Sequence, residues 1–124
     1  MSADLRHHLG QLGERLAAEH LERRGYEVVA RNHRTRFGEL DLIAADERFL
    51  VFREVKTRRA GGGTGGPVEA VAPPKQRQVR QMAAAWLAET TERPHRDDLR
   101  FDVVAVTIDP QGRLVALDHL EGAF

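Results

Sequence analysis

Four ionisable side chains stand among the apolar residues of "RFGELDLIAADERFLVFREVKTRR", residues 36–59: Glu39, Asp41, Glu54 and Lys56. Charges are rarely kept in strands that also carry Leu, Ile, Val and Phe, because removing them from water is costly without compensation. Strand side chains alternate, so Glu39 and Asp41 share one face of one strand, and Glu54 and Lys56 share one face of the next. If Asp46 and Glu47 make a two-residue turn, Glu39 falls opposite Glu54 and Asp41 opposite Phe52, with all four charges on one side of the hairpin. Asp41 and Glu54 are then diagonal neighbours, with roughly 7 Å or less between Cβ atoms. A turn of odd length would put the two charged sets on opposite faces.

Two carboxylates about 5 Å apart repel by about 3 kcal/mol at an effective dielectric near 20. Lys56 offsets part of that repulsion, and a divalent cation offsets more. Oxygen ligands, with no Cys in the chain and no His in this stretch, suit Mg²⁺ or Mn²⁺ rather than Zn²⁺. Such an ion polarises a phosphoryl oxygen and lowers the pKa of a bound water. An ammonium beside it orients that water or stabilises charge growing on the phosphate. This is the chemistry of phosphodiester hydrolysis. The same spacing also fits a surface hairpin in which Glu39 or Asp41 is simply paired to Lys56. The chain carries seventeen arginines and only two lysines, Lys56 and Lys75, so a Lys here marks a position that suits a compact, tunable ammonium.

The elements that must hold these groups are readable from periodicity. Leu5, Leu9, Leu12, Leu16 and His20 recur at helical spacing, predicting a helix over 5–24 that stops at Gly25. Gly10, Gly13 and Ala17 form a smooth stripe within it, next to Glu14, which points to close approach of the helix to something. Strands are predicted at 26–30, 39–44 and 49–57. "AGGGTGGP" holds five of the eleven glycines and reads as a mobile loop. Pro73 and Pro74 open a second helix to about Thr90, with Val79, Met82, Ala83, Trp86 and Leu87 as its buried stripe. A hairpin of 101–108 and 114–120 turns at "DPQG". The order α-β-β-β-α-β-β makes the second helix a crossover between parallel third and fourth strands. The expected fold is therefore α/β, a mixed central sheet flanked by helices, in one domain spanning 1–124.

Composition narrows the function classes. With 41% hydrophobic and 31% charged residues, the chain reads as globular. No apolar run approaches the ~18 residues of a membrane helix. The N-terminal stretch has no apolar core of a signal peptide, so a cytoplasmic protein without membrane contact is expected. The absence of cysteine removes disulfides and thiolate metal sites. Nineteen basic and nineteen acidic residues balance, which is not the footprint of a protein that coats nucleic acid non-specifically. The basic residues are nevertheless clustered: Arg31, His33, Arg34 and Arg36; Arg53, Lys56, Arg58 and Arg59; Lys75, Arg77 and Arg80. Arg36, Arg58, Arg59, Lys75 and Arg77 are the candidate phosphate contacts, with ordinary solvated arginine as the alternative. Lys75 and Arg77 open a helix against its dipole preference, an arrangement that a bound phosphate would make favourable. "GGGTGG" lacks the G-K-[ST] ending of a nucleotide loop. One Trp and one Tyr give no platform for stacking single-stranded bases, so duplex or branched DNA is the expected partner.

At Asp41 and at Glu54-Val55-Lys56 the chain resembles the PD-(D/E)XK, restriction-endonuclease-like superfamily, whose signature is an Asp on one strand and (D/E)-X-K on the next. More closely it resembles the YraN-like family of small bacterial proteins related to Holliday junction resolvases. That match rests on "GQLGERLA", "RGYEVVARNHRTRFGELDLIA", "FREVKTRR", "PVEAVAPPKQRQVRQMAAAWL", "RFDVVAV" and the terminal "AF". The resemblance implies that Asp41 and Glu54 are metal ligands, that Glu14 is the helical carboxylate completing the site, and that Lys56 is the catalytic lysine. Glu39 is expected behind them, or paired with Arg36, and Asp102 is expected to be structural. By analogy with resolvases a homodimer is expected. Two positions depart from the pattern. Arg53 stands where an apolar residue is expected, and needs either an exposed strand end or an acidic partner. The loop before "PVEAV" is richer in glycine and lacks an expected aromatic. Three functions stay open: a metal-dependent endonuclease, a nucleic-acid-binding module that keeps the fold without hydrolysis, or a small interaction protein whose hairpin charges are only salt bridges.

Overall fold

The computed structural model describes residues 3–61 and 71–124, the side chains of 3–6 excepted. In chain order the elements are α1 (Ala3–Arg23), β1 (Glu27–Thr35), β2 (Gly38–Ala45), β3 (Phe49–Arg59), α2 (Pro73–Glu89), β4 (Asp98–Ile108) and β5 (Leu114–Leu120). The strands form one sheet in the order β1-β2-β3-β4-β5. All pairs are antiparallel except β3 and β4, which run parallel from Phe49↔Asp98 to Arg59↔Ile108. The crossover through α2 makes that parallel pair, as the element order required. No helix among the described residues is long and apolar enough to cross a membrane.

The two helices cover opposite faces of the sheet. α2 contributes Val79, Met82, Ala83 and Trp86 to a core with Leu50, Phe52 and Phe101. Phe52 anchors it, stacked on Phe101 and edge-on to Trp86 at centroid distances of 5.6 and 5.9 Å. Each such large side chain, fully buried, contributes roughly 1.5–3 kcal/mol. α1 lies on the other face, where Ala18 and Leu21 meet Leu42, Ala44 and Val51. Farther along, Ala17 meets Val104, Val106 and Ile108. The buried line of α1 is thus Ala17, Ala18 and Leu21, with Leu9, Leu12 and Leu16 only half-buried beside it, a shift from the expected leucine stripe. Small residues win these positions because the helix sits close to the sheet. A Cβ built on Gly13 would lie 1.9 Å from Thr57 Oγ1, which leaves glycine as the residue that fits.

Two further expectations change, and a third falls outside the described residues. β1 continues to Thr35, so the basic cluster at Arg31, His33 and Arg34 lies on a strand rather than after one. It is an edge strand, and edge positions accept charges that a central strand would not. Secondly, the β2–β3 connection is longer than two residues. Asp46 Oδ1 accepts hydrogen bonds from the backbone N–H groups of Arg48 and Phe49, while the Asp46 N–H donates to the Phe49 carbonyl. An aspartate closing its own turn is a common device that counting residues does not reveal. The pairing therefore runs from Ala45↔Leu50 to Leu42↔Arg53. Continued by one residue, it sets Asp41 across from Glu54 rather than from Phe52. The alternation does not carry past Leu42↔Arg53. Leu40 packs into the core beneath α2, so Glu39 turns towards Glu14 of α1, while the Glu54 carboxylate meets Lys75 of α2, and the two sets do not share the expected face. Thirdly, of the expected glycine loop, residues 62–70 lie outside the described residues.

Arg53 has the acidic partner that its position demanded. Its side chain is fully buried, with Nε 3.1 Å from Asp102 Oδ2 on the neighbouring strand and the guanidinium 4.5 Å over the Tyr26 ring. Arg100 grips the same carboxylate with two N–H groups at 2.9 Å and also donates to the Tyr26 hydroxyl. His119 Nε2 at 2.8 Å and the Gly122 N–H at 3.0 Å complete the ring around Asp102. Burial alone would raise the Asp102 carboxyl, but the hydrogen bonds from His119, Arg100 and Gly122 hold it far below its ordinary value. Asp102 is structural, as expected.

Candidate metal centre at the strand fork

Beyond Leu42↔Arg53 the strands β2 and β3 part. β2 stays paired with β1 as far as Thr35↔Gly38, and β3 stays paired with β4 as far as Arg59↔Ile108. The opening between them is filled by a side chain: Asp41 Oδ2 accepts a hydrogen bond of 2.9 Å from the Val55 N–H. A carboxylate thus replaces a backbone carbonyl of the ladder, satisfying a donor that the fork would leave bare.

Three carboxylates converge there. Glu14 from α1 and Glu39 and Asp41 from β2 each offer an oxygen, and these lie within 4.8 Å of one another. The close seat of α1 on Thr57 at Gly13 is what brings the adjacent Glu14 within reach. The electrostatics are those of like charges crowded out of water. Burial, then the charge of Glu54, pushes the Asp41 carboxyl up to about 7. Burial and the Asp41 charge raise Glu14, against a hydrogen bond from Asn32. Glu54 is raised by burial as well, partly countered by Lys75 and then Lys56.

The predicted residues are distributed as follows. Asp41 and Glu14 meet, joined by Glu39, which sequence reasoning had set behind them. Glu54 is close enough to raise the Asp41 carboxyl, but its own carboxylate faces Lys75, with Nζ 3.5 Å from Oε1. Lys75 therefore stands at the acidic site rather than on a separate basic surface. Lys56 is half-buried on β3, and its charge is felt at Glu54. Glu39 is paired with the exposed Arg34 at 3.6 Å, not with Arg36. Arg36 is exposed at the hairpin tip, its guanidinium 4.8 Å over the Phe37 ring. Arg77 is exposed on α2. Arg58 and Arg59 line a cavity of about 370 Å³ together with Thr57 and Glu14. A second cavity, about 480 Å³, lies on the other side of Glu14 and is lined by His7, Asn32 and Glu39. Asn32 was missed. It has a positive φ of 49°, a backbone state that Asn tolerates better than most residues, and an Asn amid a basic strand was its only signal.

The donor set fits a hard divalent cation: carboxylate oxygens alone, half-buried, mutually repelling, with no imidazole or thiolate among them.

Residues 13–106 match the model of the uncharacterised protein family UPF0102. A UPF0102 protein of Rhodococcus opacus (strain B4) is 49% identical over 116 residues, covering 94% of this chain and 95% of its own length. One from Nocardia farcinica (strain IFM 10152) is 51% identical over 116 residues, covering 94% and 88%. Another from Acidothermus cellulolyticus is 45% identical over 131 residues, covering 99% and 98%. With the family model spanning most of its length and relatives aligned nearly end to end, the chain belongs to the UPF0102 family, the YraN-like group that its motifs indicated.

Proposed function

We propose that this protein is a metal-dependent endonuclease-like enzyme of PD-(D/E)XK type that hydrolyses phosphodiester bonds in DNA. The observation that carries this reading is the convergence of Glu14, Glu39 and Asp41 within 4.8 Å, with the charge of Glu54 felt at Asp41 and that of Lys56 felt at Glu54. Asp41 and Glu14, with Glu39 and Glu54 adjoining, would hold Mg²⁺ or Mn²⁺, which when bound supplies Lewis-acid polarisation of the phosphoryl oxygen and a more acidic water. Lys56 holds its ammonium where it orients the attacking water or meets charge growing on the phosphate. Lys75 at Glu54, and Arg58 and Arg59 in the cavity bordered by Glu14, supply phosphate contacts nearest the carboxylates, with Arg36 and Arg77 farther along the backbone's path. The substrate is duplex or branched DNA, the working form a homodimer, and the compartment the cytoplasm.

The experiment is cleavage of linear and branched DNA by the purified protein with Mn²⁺ or Mg²⁺. Lys56→Ala abolishes cutting while the thermal unfolding curve stays in place; equal activity in that variant rejects the assigned role. One observation favours a second reading, a nucleic-acid-binding module without hydrolysis: Lys75 already neutralises Glu54. Under that reading DNA binding is salt-sensitive, needs no metal and survives Asp41→Asn. Calorimetric titration of Mn²⁺ into the wild type and into Asp41→Asn/Glu54→Gln separates the two.

A further inference from the structure

We propose that the cut strand crosses α1 at Gly10, so that Gly10 is a specificity-determining position whose missing side chain keeps open the passage between the cavities on either side of Glu14. This rests on reading the acidic fork as a phosphodiester site, and adds to it the path of the substrate.

Gly10 and Gly13 both lie in the interior of α1, where glycine weakens a helix relative to alanine. Their reasons differ. Gly13 is required by packing, since a Cβ there would collide with Thr57. At Gly10 a Cβ would meet nothing within 4 Å. No contact with the sheet explains its glycine, and alanine would fit and favour the helix. What does surround Gly10 is space: it lines both the cavity of about 370 Å³ and the one of about 480 Å³. Glu14, one turn farther along α1, is the other residue that borders both. Each cavity falls within the roughly 300–1,000 Å³ that enclose a small ligand.

The linings set the occupant. One cavity offers Arg58 and Arg59, two guanidinium groups suited to a phosphate, beside Thr57 and the apolar Leu9 and Val55. The other offers Asn32, Gln11 and His7, hydrogen-bonding groups suited to a sugar or a base edge, beside the Glu39 carboxylate. A polyanion with a phosphate on one side of Glu14 and its next sugar on the other matches that division. A compact anion would use only the basic half.

The test compares Gly10→Ala and Gly10→Leu with the wild type by thermal unfolding, Mn²⁺ titration and fluorescence anisotropy with labelled duplex and four-way-junction DNA. Gly10→Ala raises the melting temperature by a few degrees. Mn²⁺ affinity is unchanged in both variants. DNA affinity falls for Gly10→Leu on the order of tenfold, and less for Gly10→Ala. Wild-type DNA affinity in a folded Gly10→Leu protein overturns the strand path while leaving the site assignment intact. A lower melting temperature for Gly10→Ala overturns it too, since glycine would then serve packing. Loss of Mn²⁺ binding in Gly10→Leu places the effect at the carboxylates and likewise overturns it. If the wild type binds neither DNA, the site reading and the path fall together.

Discussion

Asp102 and Asp41 are both aspartates withdrawn from water on strands of one sheet, and their surroundings are opposite. Asp102 is ringed by Arg53, Arg100 and His119 and takes a backbone N–H besides. Its charge is balanced several times over, and its carboxyl is held far below the ordinary range. Asp41 faces Glu14, Glu39 and Glu54, with a single backbone N–H and the more distant Lys75 in its favour, and its carboxyl rises to about 7. The first arrangement closes on itself and needs nothing from outside. The second stores repulsion that a divalent cation would relieve. The contrast separates a charge that its surroundings balance from one that they leave unbalanced, a distinction that burial alone does not make.

The largest expected effect breaks the balanced centre. Asp102→Asn leaves the buried Arg53 guanidinium without its counter-charge and costs about 3–5 kcal/mol, read by denaturant unfolding at pH 7. Because the folded Asp102 carboxyl lies below its unfolded value near 3.9, the stability it contributes is present above that pH and is lost as pH falls through the folded value. The gap between wild type and variant therefore narrows under acid.

Next in size is the cation itself. Mg²⁺ or Mn²⁺ at a hundred times its dissociation constant stabilises the wild type by about 2.7 kcal/mol. A thermal shift with metal should vanish in Asp41→Asn/Glu54→Gln, and should weaken below pH 7, where Asp41 takes up its proton.

The smallest effect has the opposite sign from an ordinary core mutation. Asp41→Asn keeps an acceptor for the Val55 N–H and removes a charge. It should stabilise the metal-free protein at pH 8 by roughly 1–3 kcal/mol. A carboxyl raised in the folded state destabilises that state as pH climbs from the unfolded value near 3.9 towards 7, so the gain shrinks towards zero by about pH 4. A loss of stability at pH 8 would remove the comparison with Asp102.

How far the sequence alone reached follows from what each feature depends on. The element order, the parallel pairing of β3 with β4 and the α2 stripe depend on local periodicity and connection length, and were legible. So was the need of Arg53 for a partner, because an unpaired guanidinium in a central strand is prohibitive. The register was not, since the Asp46 side chain builds a turn that strand counting cannot see. That Glu39 rather than Glu54 joins Glu14 was not legible either. It follows from the parting of β2 and β3 and from Lys75 arriving on α2, both tertiary facts. The family motifs pointed to residues around the fork, and three-dimensional packing sets which of their carboxylates meet.

The contact between Gly13 and Thr57 has an effect beyond the two residues that make it. A helix resting directly on a strand acts as a fixed gauge: the depth of its seat sets the reach of whatever it carries next, here the carboxylate of Glu14. One extra methyl group at Gly13 would lift that gauge off its stop and draw Glu14 away from β2. A change with no charge of its own would thereby rewrite the electrostatics of the whole fork.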